Sequence, residues 1–310
     1  MNAKQTSLFT YMDGRIDFLK SVGRYGTAQT YRNTYEKFRK FTGGDFALSE
    51  ITQENMERFE AFCRDSGNSR NTISFYMRIL RAVFNRAVDE ELVEQPKRNP
   101  FKKVYTGVDK TVKRAIPIGK VKYIAHMDFS IMTGLTAAQR RNMEYARDMF
   151  MFSFYTRGMS FVDMAYLKKS DIRDGNLIYC RNKTGQKLSI RWERCIEDIV
   201  RRHPGAENSP YLMDIISDAD GNTRRQYKVR LTYVNAWLKE VGRYAGLGDI
   251  LTMYVARHSW ATACKSSNIP ISVISEGMGH DSEETTRIYL ASLDTNVVDK
   301  ANRKIINQIL

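Results

Sequence analysis

The chain has 310 residues, of which 42% are hydrophobic, and 49 Lys and Arg against 35 Asp and Glu leave a formal net charge of +14. Its length predicts two domains, and the lack of an apolar run of about 18 residues or of a signal peptide argues against a membrane or secreted protein and predicts a cytoplasmic one. The charge favours a polyanionic partner with nucleic acid as the first candidate, although basic proteins without such a partner are common.

The first hundred residues are predicted to form helices. One helix is indicated by aromatic residues that recur at helical spacing, namely Tyr31, Tyr35, Phe38 and Phe41. A second covers residues 69–88, and its core-facing side is predicted to be an apolar stripe formed by Ile73, Tyr76, Met77, Leu80 and Phe84.

Another face of this second helix is polar and basic. It carries Ser74, Arg78, Arg81 and Asn85, and Arg70 lies near the helix start. Such a face is usually only solvated, but in a chain this basic it could equally lie in a DNA groove. Arg70, Arg78 and Arg81 are therefore candidate DNA-binding residues.

Residues 97–120 contain the best candidate for a domain boundary. The segment includes Pro100 and Pro117, is poorly amphipathic and is rich in basic residues such as Lys102 and Lys103. A basic linker of this kind could also track DNA phosphates. The predicted organisation is a helical DNA-binding domain, a basic linker and a second domain, over residues 1–100, 101–117 and 118–310.

The second domain is predicted to combine helices with a small hairpin. A capping-box pattern at residues 136–139 starts a helix that runs to about Tyr155. Residues 177–180 and 188–192 are strand-like, with Lys183 at or near the tip of the turn between them. The predicted fold class is mainly α with a small β-hairpin or sheet.

Several short helices are predicted near the end of the chain. One begins near Thr252, and the next begins at Pro270 and ends at Gly277. His280 then lies in a turn, and a helix capped by Asp281 or Ser282 carries Tyr289 about two turns in.

Cysteine and histidine patterns indicate neither a disulfide framework nor a metal site. The four cysteines are far apart, show no CxxC spacing and are predicted to be reduced and mostly structural: Cys63, Cys180, Cys195 and Cys264. Only four histidines occur, without an HExxH pattern. We therefore expect no metal and no cofactor.

Single residues near the end of the chain have ordinary structural interpretations. Tyr254 and Arg257 are three residues apart and share a helix face, where a packed ring and an ion pair would account for them. Tyr289 alone would more often be a core aromatic. What changes these interpretations is the order of the motifs around them.

The stretch "ARHSWATACKSSNIPISVISEGMGHDSEETTRIYLAS" contains an Arg-His-Ser box, a Gly-His-Asp corner and a Thr-x-x-Tyr helix, in that order and at close spacing. This combination resembles the tyrosine recombinases, also called phage-integrase-type site-specific recombinases, and the resemblance covers nearly the whole chain. It implies a helical, SAM-like core-binding domain and a mixed α+β catalytic domain. It also implies an enzyme that cuts and rejoins duplex DNA, for inversion or for integration and excision of a mobile element.

The resemblance implies a role for each motif residue. Tyr289 matches the nucleophile, which in this family attacks a DNA phosphate to give a 3′-phosphotyrosine and a free 5′-OH. Arg257 matches the second catalytic arginine, and His280 matches the residue that hydrogen-bonds the phosphate. Planar guanidinium groups suit the charge that gathers on an attacked phosphodiester, and ligation needs no ATP, which fits the lack of a GxxxxGK[ST] loop.

Two further positions follow from the resemblance. Lys183 matches the hairpin lysine, read in this family as general acid for the leaving 5′-oxygen. Arg157 resembles the first arginine of the family, and Asp163 the acid that supports the site. Asp163 lies six positions after Arg157, where the family usually has an offset of about three, and an ungapped match would put Ser160 at the arginine position. Arg157 is preferred because a loop insertion is tolerated more easily than loss of a phosphate clamp.

A second departure concerns Tyr254, which stands where the family usually has His, three residues before the second arginine. A phenol can donate a hydrogen bond to phosphate but is a weak proton acceptor near neutral pH. The hypothesis retained is that Tyr254 belongs to the site, with general-base duty left open.

The resemblance also implies an assembly. Four protomers on two DNA sites are expected, and the early start of the first domain favours simple inverted-repeat sites, although an integrase remains possible. The protein would be nucleoid-associated in a bacterium or mobile element.

The tail at residues 296–310 suits a helix that docks on a neighbouring subunit or on its own domain. The alternatives are a non-catalytic architectural DNA-binding protein and a type IB topoisomerase.

Overall fold

The structure is a computed structural model that describes residues 6–109, 115–290, 303, 306 and 307, without the side chains of residues 288 and 289. Contacts along the chain divide it into two units, Met1–Thr111 and Val112–Leu310. The tail at residues 296–310, for which docking is expected from the sequence, lies outside the described residues except for three positions.

Helices form the framework of the first unit. They are α1 (Leu8–Ser21), α2 (Tyr25–Thr42), α3 (Gln53–Asp65) and α4 (Arg70–Asp89). Three of them begin at a Ser or Thr whose hydroxyl accepts a backbone N–H of the first turn, namely Ser7, Thr52 and Ser69. Their apolar faces meet in a core rich in aromatic rings. Phe38 and Phe59 are fully buried there, and their ring centroids are 4.8 Å apart.

Most of the apolar stripe predicted on α4 is buried in this core, and Tyr76 is half-buried against it. Ile73, Met77, Leu80 and Phe84 are all nearly inaccessible to solvent. The same core also takes in Phe101 and Val104, which belong to the segment expected to be a linker. The first part of that segment therefore packs on the first unit, because burying its two apolar side chains lowers the free energy of the folded chain.

The second unit combines helices with one small sheet. Its helices are α5 (Ile118–Ala125), α6 (Ala137–Tyr155), α7 (Phe161–Tyr166), α8 (Arg194–Arg202), α9 (Thr223–Tyr244), α10 (Met253–Ser266), α11 (Ile271–Met278) and α12 (Glu283–Leu290). The predicted capping box at the start of α6 is confirmed, since Thr136 and Gln139 each accept a backbone N–H of the other. Met143, Ala146 and Phe150 on α6 are buried in the core of this unit, and Phe154 is half-buried against it.

Three antiparallel strands form the sheet in the order β1 (Ile172–Arg173), β2 (Asn176–Cys180) and β3 (Lys187–Arg191). The predicted hairpin is β2 and β3, with Tyr179 paired to Leu188 and Cys180 to Lys187. The sequence did not predict the short strand β1. The fold is thus mainly α with a small sheet, as expected from the sequence.

A buried carboxylate connects α6 to the end of α8. Asp148 is 2% exposed, and its oxygens accept hydrogen bonds from Arg147 Nε at 3.0 Å, Arg202 Nε at 2.8 Å and His203 Nε2 at 2.8 Å. Burial alone would raise the pKa of this carboxyl, but the hydrogen bonds from His203 and Arg202 and the nearby cations outweigh it and lower the pKa to about 2. Asp148 therefore stays ionised and holds the two helices together.

The end of α11 differs from the prediction. Gly277 was expected to terminate this helix, but the helix continues to Met278 and Gly279 takes the left-handed cap conformation, with φ of 63°. A non-glycine residue is unfavourable in this conformation, so of the two glycines it is Gly279 that ends the helix.

The four cysteines are free thiols that differ in exposure. Cys63 is buried, and burial raises the pKa of its thiol to about 11, whereas Cys180 and Cys195 are exposed and Cys264 is half-buried. In the part of the chain that the structure describes, we find no helix with the length and apolar character needed to cross a bilayer.

Candidate active site

The loop after α6 carries Arg157 and brings the backbone against α10. Arg157 and Gly158 both have left-handed backbone conformations, with φ of 61° and 72°. A Cβ atom on Gly158 would lie 2.7 Å from the Cα atom of Arg257, so only glycine fits there. The Arg157 side chain lies beside Gly277 of α11, where its Cδ atom would be 3.6 Å from an added Cβ.

Arg257 is the most connected residue of the site. It lies on α10 and is only 6% exposed. Its Nη1 donates to the carbonyl oxygen of Gly158 at 2.9 Å, and its Nη2 donates to the carbonyl oxygen of Met278 at 2.8 Å and to Nε2 of His280 at 2.9 Å. These three acceptors are neutral, so they orient the guanidinium group without cancelling its charge.

His280 follows the left-handed cap of α11 and contacts two helices. Its Nδ1 lies 2.7 Å from the hydroxyl of Thr286, a fully buried residue of α12. Burial lowers the pKa of His280, and the charges of Arg257, Arg181 and Lys183 add to this effect, giving a pKa of about 4. The ring is therefore neutral near pH 7. Because a guanidinium group can only donate, Nε2 accepts and Nδ1 carries the proton that is donated to Thr286.

The β2–β3 hairpin reaches the same corner. Lys183 lies in its turn and is exposed, whereas Arg181, two residues earlier, is only 7% exposed. Arg181 Nη1 donates to the carbonyl oxygen of Gly279, the residue before His280. Sequence reasoning did not select Arg181. The available signal was the period of two in Leu177, Tyr179 and Arg181, which places an arginine on the buried side of the strand.

Asp163 anchors the hairpin near its turn. It is buried in the first turn of α7, and its Oδ1 accepts the backbone N–H of Asn182 at 2.8 Å. Its Oδ2 accepts the hydroxyl of Ser160 at 2.6 Å, and Ser160 also caps α7. Ser160, the alternative match to the first arginine of the family, is thus engaged in starting this helix.

The ring of Tyr179 lies amid these charged groups. Burial raises the pKa of its hydroxyl, the charge of Asp163 raises it further, and the cations Arg181, Arg257 and Arg157 lower it. Four charged residues from four separate segments therefore act electrostatically on one buried hydroxyl group. Hydrogen bonds and packing bring Arg157, Asp163 and Arg257 into one region of the second unit together with Arg181, and their chemical roles stay predictions.

Tyr254 and Tyr289 complete the predicted set. Tyr254 lies one turn before Arg257 on α10, is 59% exposed, and has its ring 4.6 Å from the ring of His258 in an edge-to-face arrangement. The backbone of Tyr289 lies in the last turn of α12, but its side chain is outside what the structure describes. Position 289 follows Thr286 by three residues, so helical spacing puts it near the face of α12 that contacts His280.

The predicted DNA-binding residues of the first unit have different surroundings. Arg78, Lys102 and Lys103 are exposed. Arg70 pairs with Asp109 at 3.4 Å, and its guanidinium carbon lies 3.8 Å from the centroid of the Tyr105 ring.

Three other polar residues of α4, namely Asn71, Ser74 and Arg81, are also contacted by the segment 104–109. Arg81 Nη1 donates to the hydroxyl of Thr106 at 3.2 Å, and the buried Ser74 donates to the carbonyl oxygen of Gly107 at 2.5 Å. Asn71 exchanges two hydrogen bonds with the backbone of Asp109. Part of the face considered for a DNA groove is therefore covered by the chain itself.

Comparison with protein families gives two matches. The phage integrase SAM-like domain matches residues 7–105, and the phage integrase family matches residues 131–296. Tyrosine recombinase XerA of Pyrococcus furiosus is 28% identical over 248 residues, which cover 77% of this chain and 76% of that protein. Tyrosine recombinase XerC of Roseiflexus castenholzii is 22% identical over 270 residues, covering 85% and 82%.

Solved structures share the fold. A lambda integrase dimer bound to a COC′ core site superposes with a TM-score of 0.66 at 18% identity, covering 93% of this chain and 78% of that one. The Tn1549 transposon integrase in complex with transposon right end DNA superposes with a TM-score of 0.66 at 13% identity, covering 97% of this chain and 100% of that one. A lambda integrase tetramer bound to a Holliday junction has a TM-score of 0.66 at 17% identity, covering 92% of this chain and 78% of that one.

The phage integrase match alone extends over more than half of the 310 residues, and it includes every residue gathered at the corner of Arg257 and His280. The chain belongs to the phage integrase family of tyrosine recombinases, which are enzymes that cleave and rejoin DNA.

Proposed function

We propose that this protein performs site-specific recombination with Tyr289 as nucleophile. The phenol gives up its proton as its oxygen bonds to the phosphorus of a DNA phosphodiester, the bond from phosphorus to the 5′-oxygen breaks, and the 5′-oxygen takes up a proton as it leaves. Attack by a 5′-OH of another strand reverses these steps and rejoins the DNA. The observation that carries the proposal is the position of Arg257, which joins the Gly158 loop, the end of α11 and His280.

Arg257 and Arg157 are proposed to bind the non-bridging oxygens of the phosphate. Charge accumulates on these oxygens during attack, and planar guanidinium groups bind them bidentately. Arg257 is already oriented by neutral acceptors, so little reorganisation is needed when phosphate arrives. Arg157 leaves α6 in a left-handed conformation that brings its side chain next to α11.

His280 is proposed to contact the same phosphate. In the free protein its ring is neutral because burial and three nearby cations lower its pKa. A bound phosphate would offset those cations and raise the pKa towards its ordinary value. Nε2 could then carry a proton to a phosphate oxygen, while Nδ1 keeps its contact with Thr286.

Lys183 is proposed as the general acid for the 5′-oxygen, and Tyr254 as a hydrogen-bond donor to phosphate. A lysine on an exposed turn can reach a substrate that is bound over the site, whereas a neutral phenol is a poor base near pH 7. Asp163 supports Lys183 by holding the neighbouring residue Asn182.

DNA with inverted-repeat core sites is the proposed substrate, bound by a homotetramer in the synaptic complex. Arg70, Arg78, Arg81, Lys102 and Lys103 are proposed to contact phosphates, and the net charge of +14 supports a polyanionic substrate. The reaction would serve DNA inversion or the integration and excision of a mobile element, with the protein at the nucleoid in the cytoplasm.

Covalent trapping tests this proposal. The full-length protein is incubated, with EDTA present, with nicked suicide duplexes that carry candidate inverted repeats, and protein–DNA adducts are resolved on a denaturing gel. We expect an adduct with the wild type and none with Tyr289→Phe. Tyr244→Phe is the matched control, since this exposed tyrosine on α9 lies outside the proposed site.

The products decide between the enzyme classes. Exchanged DNA partners support recombination, whereas relaxed circles without exchange would indicate a type IB topoisomerase. Tight binding to duplex DNA without any adduct would overturn the proposal in favour of an architectural protein.

A further inference from the structure

The hairpin that carries Lys183 makes two specific contacts near its turn. At Asn182, the backbone N–H donates to Asp163. At Arg181, the side chain crosses to the next segment of the site and donates to the carbonyl oxygen of Gly279. Lys183 directly follows these two anchored residues, while its own side chain is exposed. The position of the Lys183 backbone therefore depends on contacts made by its two predecessors.

Gly279 is enclosed by the hairpin. A Cβ atom at this position would lie 2.6 Å from Cδ of Arg181, 3.0 Å from Cδ1 of Leu188 and 3.1 Å from Oε1 of Gln186. All three atoms belong to side chains of the β2–β3 hairpin or its turn. The hairpin thus packs directly on the turn between α11 and His280, and Arg181 makes the polar part of this contact.

Two buried arginines hold consecutive carbonyl groups at the end of α11. Arg257 donates to Met278, and Arg181 donates to Gly279. The last carbonyls of a helix carry partial negative charge and lack partners within the helix, so cations there are favourable. Arg257 holds the end of α11 and His280 within the proposed phosphate clamp. Arg181 holds the hairpin against the same end of α11.

We propose that Arg181 is a positioning residue for Lys183, which acts by fixing the hairpin to the Gly279–His280 corner rather than by binding the phosphate. This inference rests on the proposed function, in which Lys183 protonates the leaving 5′-oxygen. Arg181 remains in the hairpin contact throughout the reaction. Its loss displaces the general acid and leaves the clamp of Arg157 and Arg257 in place.

A substrate that needs no general acid separates these possibilities. In a 5′-bridging phosphorothiolate the leaving atom is sulfur, and a thiol with a pKa of about 8.5 leaves as the anion without protonation. Single-turnover cleavage of suicide duplexes is measured with oxygen or sulfur at this position. The proteins are the wild type, Lys183→Ala, Arg181→Met, which keeps an apolar stem, Arg181→Lys, which keeps the charge, and Arg257→Lys.

On the oxygen substrate, we expect Arg181→Met to cleave roughly tenfold to a hundredfold more slowly than wild type, which is part of the roughly 10²- to 10⁴-fold that a general acid contributes. The cleavage rate of Arg181→Lys should fall by a smaller factor, because the lysine keeps the charge. On the sulfur substrate, the rates of both Arg181 variants and of Lys183→Ala should return to within a few-fold of wild type, whereas Arg257→Lys should stay slow. Arg191→Met is the matched control, because Arg191 lies in β3 of the same hairpin with its side chain 83% exposed, and it should cleave both substrates as wild type does.

The outcomes are distinct. If Lys183→Ala recovers on the sulfur substrate and Arg181→Met and Arg181→Lys do not, Arg181 binds the phosphate directly and the present inference is wrong, while the proposed function stands. If neither residue's variants recover, or if the wild type forms no Tyr289-dependent adduct, the assignment of Lys183 fails and this inference fails with it. A variant that does not fold is recognised by its thermal unfolding curve, and Arg181→Lys then decides the question.

Discussion

At the residue scale, His280 is a titratable group of the proposed site whose pKa departs clearly from its ordinary value. Its folded-state pKa of about 4 is below the ordinary value of 6.5, because burial and three cations disfavour the charged ring and the nearby Asp281 offsets them only in part. The unfolded chain therefore binds a proton at a higher pH than the folded chain does. The stability that His280 contributes is present above pH 6.5 and is lost as the pH falls towards 4.

This linkage predicts an acid-dependent loss of stability that a non-titrating residue removes. Gln at position 280 can accept from Arg257 and donate to Thr286, so His280→Gln keeps both contacts without a proton-binding ring. We expect urea unfolding to show a smaller drop in unfolding free energy between pH 6.5 and 5 for the variant than for the wild type. Equal drops in the two proteins would contradict the assigned pKa of His280.

Gly158 shows why one small residue matters for the site. Gly158→Ala introduces left-handed strain of about 1–2 kcal/mol and places the new methyl group 2.7 Å from the backbone of Arg257. Gly175→Ala is a matched control, because Gly175 has a similar φ of 69° and open space around it. We expect Gly158→Ala to lower the free energy of unfolding by about 1–3 kcal/mol more than the control does, as overpacked sites do.

Adduct formation by these two variants gives an independent readout. Gly158→Ala displaces the backbone of Arg257 and should slow cleavage, whereas Gly175→Ala should cleave at the wild-type rate once it is folded. Similar losses of stability and similar rates in both variants would show that the close approach of the loop to α10 is unimportant.

At the element scale, the polar face of α4 is shared between solvent and the chain's own segment 104–109. The pair of Arg70 and Asp109 is largely exposed, so it contributes only about 0–1 kcal/mol and a DNA phosphate could replace the carboxylate at small cost. Arg81 and Ser74 are tied more closely to this segment. Arg70 and Arg78 are therefore the residues of α4 best placed to reach a phosphate.

Salt-dependent binding to duplex DNA tests this view of α4. We expect Arg70→Ala and Arg78→Ala each to weaken binding and to reduce the slope of log K against log salt by about one, since each removes one phosphate contact. Asp109→Asn should strengthen binding by removing a competing carboxylate. Arg86→Ala should leave the slope unchanged, because Arg86 lies in the last turn of α4 and pairs with Glu90. An unchanged slope in Arg70→Ala and Arg78→Ala would rule out the α4 contacts.

At the scale of the whole molecule, DNA affinity and chemistry are assigned to separate units. The core of the first unit is formed by residues between Leu8 and Val104, and the main core of the second by residues between Ile116 and Ala256. All proposed catalytic residues belong to the second unit, Val112–Leu310. Among the described residues, each of these cores is built from one unit, so each unit has the apolar contacts that an independent fold requires.

Separate expression of the second unit tests this division of labour. A fragment of residues 112–310 is expected to form the Tyr289-dependent adduct with suicide duplexes, but only at a higher protein concentration than the full chain, because the phosphate contacts of the first unit are missing. Adduct yield against concentration measures the difference. A folded fragment with no adduct at any concentration would show that the first unit contributes directly to the chemistry.

Much of the fold and of the site could be predicted because the relevant signals are local. The stripe on α4, the capping box at Thr136 and the hairpin around Lys183 follow from side-chain spacing within about one element. The order of the Arg-His-Ser box, the Gly-His corner and the Tyr289 helix indicated the family before any distance was known. In each case the residues that carry the signal are neighbours along the chain, so periodicity and turn chemistry are enough to identify them.

Contacts between distant parts of the chain were decided only by the tertiary structure. Arg181 and Gly279 are 98 positions apart in the sequence, and Ser74 and Gly107 are 33 positions apart. No local sequence pattern therefore indicates that the two residues of each pair are joined by a hydrogen bond. The choice between Gly277 and Gly279 as the end of α11 has the same cause, because Gly277 remains helical against Trp260 while Gly279 turns to meet the hairpin. The sequence by itself determined which elements form and which chemistry they carry. Which buried groups those elements turn towards one another depended on packing, because burial is a property of the assembled core and not of any single segment.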